Sequence, residues 1–275
     1  MISSPDLTVN DTGPKLLLWN AKERADRPAM REKYLGIWQT WSWNEMASEV
    51  EAISGGFKAL GLERGDRISI VGDNRPRLYW SIIAAQSIGA VPVPVYQDAV
   101  AEEMQYVLEH AESRFIICED QEQVDKVLQI KNECPRIDTI LYADDRGMRD
   151  YNQPFLKNFD DVVAMGRQYN VKNPEFYQSE IAKGQGADTS IMLYTSGTTG
   201  RPKGVVLTYD NILKTAYNAV KFEDLQESDE ILAYLPMAWV GDHIFSYAQA
   251  LTSGLCTACP ESSDTVLIDL QELGP

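Results

Sequence analysis

Short apolar runs alternate with amphipathic helical stretches along most of this chain, and no other feature of the sequence constrains its fold as strongly. Strands that run the same way need a crossover between them, so the alternation predicts a mainly parallel sheet flanked by helices. One helix is marked by its residues. Ser42 and Glu45 have capping-box spacing, and Met46, Val50, Ile53, Phe57 and Leu60 then recur at three- and four-residue steps until Gly61. A strand over 67–71, turn residues 72–76 and a buried helix to about 89 follow. Residues 90–95 read Ala-Val-Pro-Val-Pro-Val. Proline cannot donate to a ladder, so this is expected to be an edge or connecting strand.

The alternation continues with a helix near 100–112, a strand at 114–118, a helix at 121–132 and a strand at 138–142, closing a first α/β portion over 1–142. It breaks over 143–188, an acidic and polar connector expected to carry one or two surface helices. It resumes in a second α/β portion, 189–275. There we expect a strand at 189–195, a glycine-rich loop, the apolar Val205-Val206-Leu207, a helix from about 208, a strand at 230–235, a helix near 242–253, a strand at 255–259 and a last helix. Residues 270–275 are expected to form no element of their own and look like a cut in a longer protein. No internal repeat or low-complexity tract is seen.

The bulk numbers remove whole classes of function. With 25 basic against 41 acidic residues, the net charge is −16 and no basic cluster stands out, which excludes nucleic acid as a general partner. The first fifteen residues lack the basic-then-apolar order of a signal peptide. The most apolar stretch, 81–96, is interrupted by Gln86, Ser87, Gly89, Pro92 and Pro94 and is too short to span a bilayer. A reducing cytoplasm is therefore expected, and the sequon at Asn10 is taken as incidental. Four cysteines are too few and too scattered for a disulfide framework. Cys256 and Cys259 have CxxC spacing, but with no second CxxC and two isolated histidines they are read as small strand residues.

The chemistry concentrates in Tyr194-Thr-Ser-Gly-Thr-Thr-Gly-Arg-Pro-Lys-Gly204. This segment follows an apolar strand, so it lies at a strand's carboxyl end, where open α/β sheets bind ligands. Gly197 and Gly200 let backbone amides approach a ligand closely. Thr195, Ser196, Thr198 and Thr199 add hydroxyl donors, and Lys203 adds a fixed positive charge. Such a loop suits phosphate oxygens. It is not a Walker A loop, because Lys203 is followed by glycine and Pro202 stands where that motif needs glycine.

YTSGTTGRPKG resembles the phosphate-binding signature of the adenylate-forming superfamily: acyl- and aryl-coenzyme A synthetases, luciferases and peptide-synthetase adenylation domains. Trp41-Ser-Trp43-Asn-Glu45, Leu60 to Arg67, Asn74-Arg-Pro76, Gly89 to Pro94 and Tyr234-Leu-Pro-Met-Ala238 are also similar to that superfamily's early segments. The Asn-Arg-Pro turn, the Pro-Val-Tyr96 run and the Tyr-Leu-Pro-x-Ala run look most like long-chain fatty acid–coenzyme A ligases. In those, histidine usually follows the alanine; here that position is Trp239, and the histidine comes four residues later as His243.

The resemblance implies stacked, mainly parallel sheets flanked by helices, as in the N-terminal lobe of such an enzyme, and a two-step reaction. A fatty acid carboxylate attacks the α-phosphorus of ATP, and coenzyme A as co-substrate then displaces AMP. Thr195, Ser196, Gly197, Thr198, Thr199, Gly200 and Lys203 are assigned to the phosphates, with Lys203 catalytic, and Trp239 and His243 to the substrate pocket. Mg2+ is implied with ATP, and no residue of the chain is assigned as its ligand. A carboxyl group with a pKa of about 4–5 is already ionised at neutral pH, so no general base is needed. The superfamily's adenine, ribose and catalytic-lysine motifs are absent, so the 275-residue piece alone is expected not to run the whole reaction. Contact with the inner membrane surface is an expectation from the fatty substrate. The alternatives are an aryl- or other acyl-coenzyme A ligase, an acyl-AMP ligase, or a non-catalytic nucleotide-binding protein.

Overall fold

The computed structural model describes residues 4–195 and 201–274. Helix α1 (Gly13–Glu23) precedes a hairpin of β1 (Pro28–Tyr34) and β2 (Ile37–Ser42), followed by α2 (Trp43–Ala59), β3 (Arg67–Val71), α3 (Pro76–Ser87) and β4 (Val91–Val95). Next come α4 (Ala101–His110), β5 (Ser113–Cys118), α5 (Gln121–Ile130), β6 (Thr139–Tyr142), β7 (Leu156–Asn158), α6 (Phe159–Lys172) and α7 (Phe176–Lys183). Then follow β8 (Thr189–Thr195), β9 (Lys203–Thr208), α8 (Tyr209–Glu223) and β10 (Glu230–Leu232). The last elements are α9 (Val240–Asp242), a π-helical stretch (His243–Ala248), α10 (Gln249–Ser253), β11 (Cys256–Cys259) and α11 (Val266–Leu273).

A five-stranded parallel sheet has the order β4-β3-β5-β6-β7, and a second sheet has the order β10-β11-β1-β2. Only the β1–β2 and β8–β9 pairings are antiparallel among the described residues. The mainly parallel α/β architecture expected from the alternation is thus what the chain adopts. β4 is an edge, as its prolines require. The Val91 amide bonds back to Asp66. In a parallel ladder successive amides face opposite ways, which leaves the missing donors of Pro92 and Pro94 on the side away from β3.

Local chemistry explains the elements. The α2 capping box is complete: the Glu45 amide donates to Ser42 Oγ at 3.3 Å and the Ser42 amide to Glu45 Oε2 at 2.8 Å. Two apolar cores lie on opposite faces of the five-stranded sheet. One is built on α2 and α3, whose residues 78–87 are all buried; the other lies under α4 and α5. A helix buried all round is one packed on both sides, and α3 sits between layers of the molecule. Residues 143–188 hold α6 and α7 and add β7 to the sheet, and α6 buries Phe159, Val162 and Val163 along α2.

Three expectations are corrected. Residues 270–273 are not without structure: α11 runs to Leu273 because the buried Lys33 ammonium of β1 binds Asp269 at 2.8 Å and Glu272 at 2.6 Å. The strand expected at 230–235 stops at Leu232, since the chain leaves the ladder to enter the turn at 233–239. The helix near 242–253 is broken by a π-helical stretch.

Candidate functional site

β8 ends at Thr195 and β9 begins at Lys203, and these two residues face each other across the antiparallel ladder. The hydroxyl- and glycine-rich turn is therefore the connection of a hairpin closed at the Thr195–Lys203 pair. Both closing residues are exposed. Ser196, Gly197, Thr198, Thr199 and Gly200 lie outside the described residues. The hairpin forms because β8 buries Ser190, Ile191, Leu193 and Tyr194, while β9 leaves Val205 and Val206 outside.

Helix α4 holds both flanks of the turn. Tyr106 Oη donates to the Pro202 carbonyl at 3.0 Å, and His110 Nδ1 lies 2.7 Å from Tyr194 Oη. The Arg201 guanidinium stands 5.8 Å from the centre of the Tyr106 ring. Burial pushes the Tyr194 phenol up to about 12, so it stays protonated at neutral pH. Beside these groups opens a cleft of about 900 Å³, lined by Tyr96, Ala99, Glu102, Tyr106, Tyr194 and Thr195. It lies beyond the carboxyl ends of β4 and β8, where α/β sheets place ligands.

A second group of residues shapes the turn at 233–239. Asn74 Nδ2 lies 3.0 Å from the Leu235 carbonyl, 3.1 Å from Asp242 Oδ1 and 2.6 Å from Tyr79 Oη, so its two N–H groups are shared among three acceptors. Tyr79 Oη donates to Asp242 Oδ1 at 2.7 Å. Asp242 is fully buried, which pushes its carboxyl up to about 7. The neighbouring His243 is 1% exposed, and burial lowers its imidazole to about 4. It is therefore neutral, and Nε2–H donates to the Met237 carbonyl at 2.6 Å. Leu235 and Met237 are in this way each held through their carbonyls.

The two residues assigned to the substrate pocket part company here. Trp239 is 50% exposed, beside the Tyr96 hydroxyl at the cleft, whereas His243 is enclosed in the core beneath the turn. Tyr106 and His110 were not singled out by the sequence, although their four-residue spacing puts them on one face of α4. Asp242 and Tyr79 were also missed, since a network between distant segments leaves no local signature. The four cysteines are buried and free, with burial pushing the Cys256 thiol up to about 12, as befits strand packing. Among the described residues no group of three or more His, Cys, Asp or Glu side chains is placed to hold a metal ion. Of the turn's described ends only Thr195 carries a hydroxyl oxygen, a hard donor of the kind Mg2+ accepts.

Comparison with known proteins bears on the family and the fold. The curated relatives include the long-chain-fatty-acid–CoA ligase ACSBG2 of Xenopus laevis, 27% identical over 99% of this chain and 37% of its own length. ACSBG1 of Bos taurus is 28% identical over 91% of this chain and 35% of its own length. The chain thus spans little more than a third of these relatives. Among solved structures, ATP-bound MatB from Rhodopseudomonas palustris superposes with a TM-score of 0.74 at 20% identity, covering 95% of this chain and 48% of that one. A mutant form of coronafacic acid ligase from Pectobacterium brasiliense gives 0.76 at 19% identity, covering 96% and 49%. The fold is that of the N-terminal part of such enzymes. The profile of the AMP-binding enzymes matches residues 17–275, and the chain belongs to that family.

Proposed function

We propose that this lobe serves ATP-dependent activation of a fatty acid carboxylate to an acyl-adenylate, followed by thioester formation with coenzyme A, when the rest of the fold is present. The observation that carries the reading is the hairpin closed at Thr195 and Lys203, whose residues Tyr194, Thr195, Arg201 and Pro202 line a cleft. The names of the curated relatives support the choice of a fatty acid and of coenzyme A.

In this reading Thr195 and the turn residues Ser196, Gly197, Thr198, Thr199 and Gly200 grip the β- and γ-phosphates by hydroxyls and amides. Lys203 offsets charge that develops on the departing pyrophosphate. Mg2+, when bound, neutralises phosphate charge and aligns the leaving group. The substrate carboxylate needs no base, which agrees with a site rich in charge-stabilising donors rather than proton-transfer groups. Trp239, half-exposed beside Tyr96, is assigned to the acyl pocket. His243 acts on that pocket from behind, through the Met237 carbonyl. Positioning and electrostatics are thus asked to supply the rate.

The test is carboxylate-dependent ATP–pyrophosphate exchange by the enzyme that contains this lobe, across acids of varied length and shape. Exchange that rises with long acyl chains, with acyl-coenzyme A released once the thiol is added, is expected. A preference for aryl acids, or transfer to a carrier protein alone, would assign the lobe to another branch. Nucleotide binding without exchange would make it non-catalytic.

A further inference from the structure

The phosphate-binding turn has a feature that its own residues do not supply. Tyr106 and His110 stand one turn apart on α4 with their rings stacked, centroids 5.6 Å apart and planes at 27°. His110 meets the Tyr194 ring edge-on at 5.6 Å and 88°, while its Nδ1 shares a hydrogen bond with Tyr194 Oη. Tyr106 meets the other flank, donating to the Pro202 carbonyl and underlying Arg201. The stacked pair therefore touches the residue just before Thr195 and the residue just before Lys203.

We propose that Tyr106 and His110 form a clasp that fixes both flanks of the phosphate turn and so sets its affinity for the polyphosphate chain. They are positioning residues, since neither is assigned a contact with the phosphates. The inference rests on the reading of the turn as the phosphate site. Its physical basis is pre-organisation. Anchors that fix in advance the residues flanking a binding segment reduce the ordering that ligand binding costs. The ladder pair Thr195–Lys203 holds the ends to each other, and the clasp holds that pair to α4 and the wall of the cleft.

Inorganic tripolyphosphate with Mg2+ is the probe, because it engages the turn without needing the adenine site. The chain would be titrated as wild type and as Lys203→Ala, Tyr106→Phe and His110→Phe, with thermal midpoints measured beside each affinity. Wild type is expected to bind and Lys203→Ala to lose most of that binding. Each phenylalanine variant keeps its ring and loses one hydrogen bond, so each should bind roughly five-fold more weakly while its midpoint falls by no more than about 2–4 °C. Hydrogen exchange at the Lys203 amide should quicken in Tyr106→Phe. Phenylalanine variants that bind like wild type, while Lys203→Ala does not, would overturn the clasp and leave the phosphate site standing. A loss of affinity that only follows a midpoint lowered further than that would overturn it as well, leaving packing alone. Wild type that fails to bind, or Lys203→Ala that binds equally well, would overturn the phosphate site itself.

Discussion

Lys203 sits at the first position of β9, across the ladder from Thr195, so a backbone pairing fixes where its charge emerges. Lys203→Ala, or Thr198→Val in the turn, should lower adenylation by roughly tens-fold or more in the complete enzyme. ATP–pyrophosphate exchange checks this, and a rate equal to wild type would reject the assignment. Asp242 makes a different prediction. Its carboxyl is raised by burial from an ordinary value near 4 to about 7, so the folded chain holds a proton that the unfolded chain releases. That contribution to stability is fully present below about pH 4 and is lost as pH rises through 7. Asp242→Asn should remove the loss, so that its stability relative to wild type improves steadily from pH 4 to 7. Denaturant unfolding at several pH values measures it; a constant difference between the two proteins would refute it. His243 titrates in the opposite sense, with neutral-state stability lost as pH falls through about 4, and it is unchanged in the comparison.

At the scale of elements, sequence and structure agree where a signal is local. Ser42 and Glu45 mark the start of α2, and the alternating prolines mark β4 as an edge. The β1–β2 hairpin escaped notice because Arg31, Glu32 and Lys33 conceal its strand pattern. Its tight turn is carried by Leu35 and Gly36, both at positive φ. The π-helical stretch after Asp242 has no sequence period that a helical pattern could reveal. Nor did the sequence show why α6 fits α2 so closely. A Cβ on Gly166 would fall on the Ala52 carbonyl and the Gly56 backbone, so the two helices meet backbone to backbone. Gly166→Ala should therefore destabilise the fold by about 1–3 kcal/mol, more than its gain in helix propensity returns. Thermal unfolding tests this, and a midpoint at or above wild type would show that the contact can relax.

For the molecule as a whole, the turn at 195–203 could be read from the chain because its chemistry is contiguous. The rest of the site is assembled from distant segments. Asn74, Tyr79, Asp242 and His243 come together only when α3 passes beneath the turn at 233–239, and Tyr106 reaches Pro202 only when α4 packs beside the β8–β9 hairpin. Sequence could name His243 but could not say that it faces the core rather than the cleft. The central claim is that a triphosphate is clamped where β8 gives way to β9. A crystal of the chain soaked with Mg2+ and ATP tests it most directly. The account predicts β- and γ-phosphate density against the amides and hydroxyls of residues 195–200, within reach of Lys203 Nζ. Nucleotide held elsewhere, with no phosphate at that turn, would contradict it.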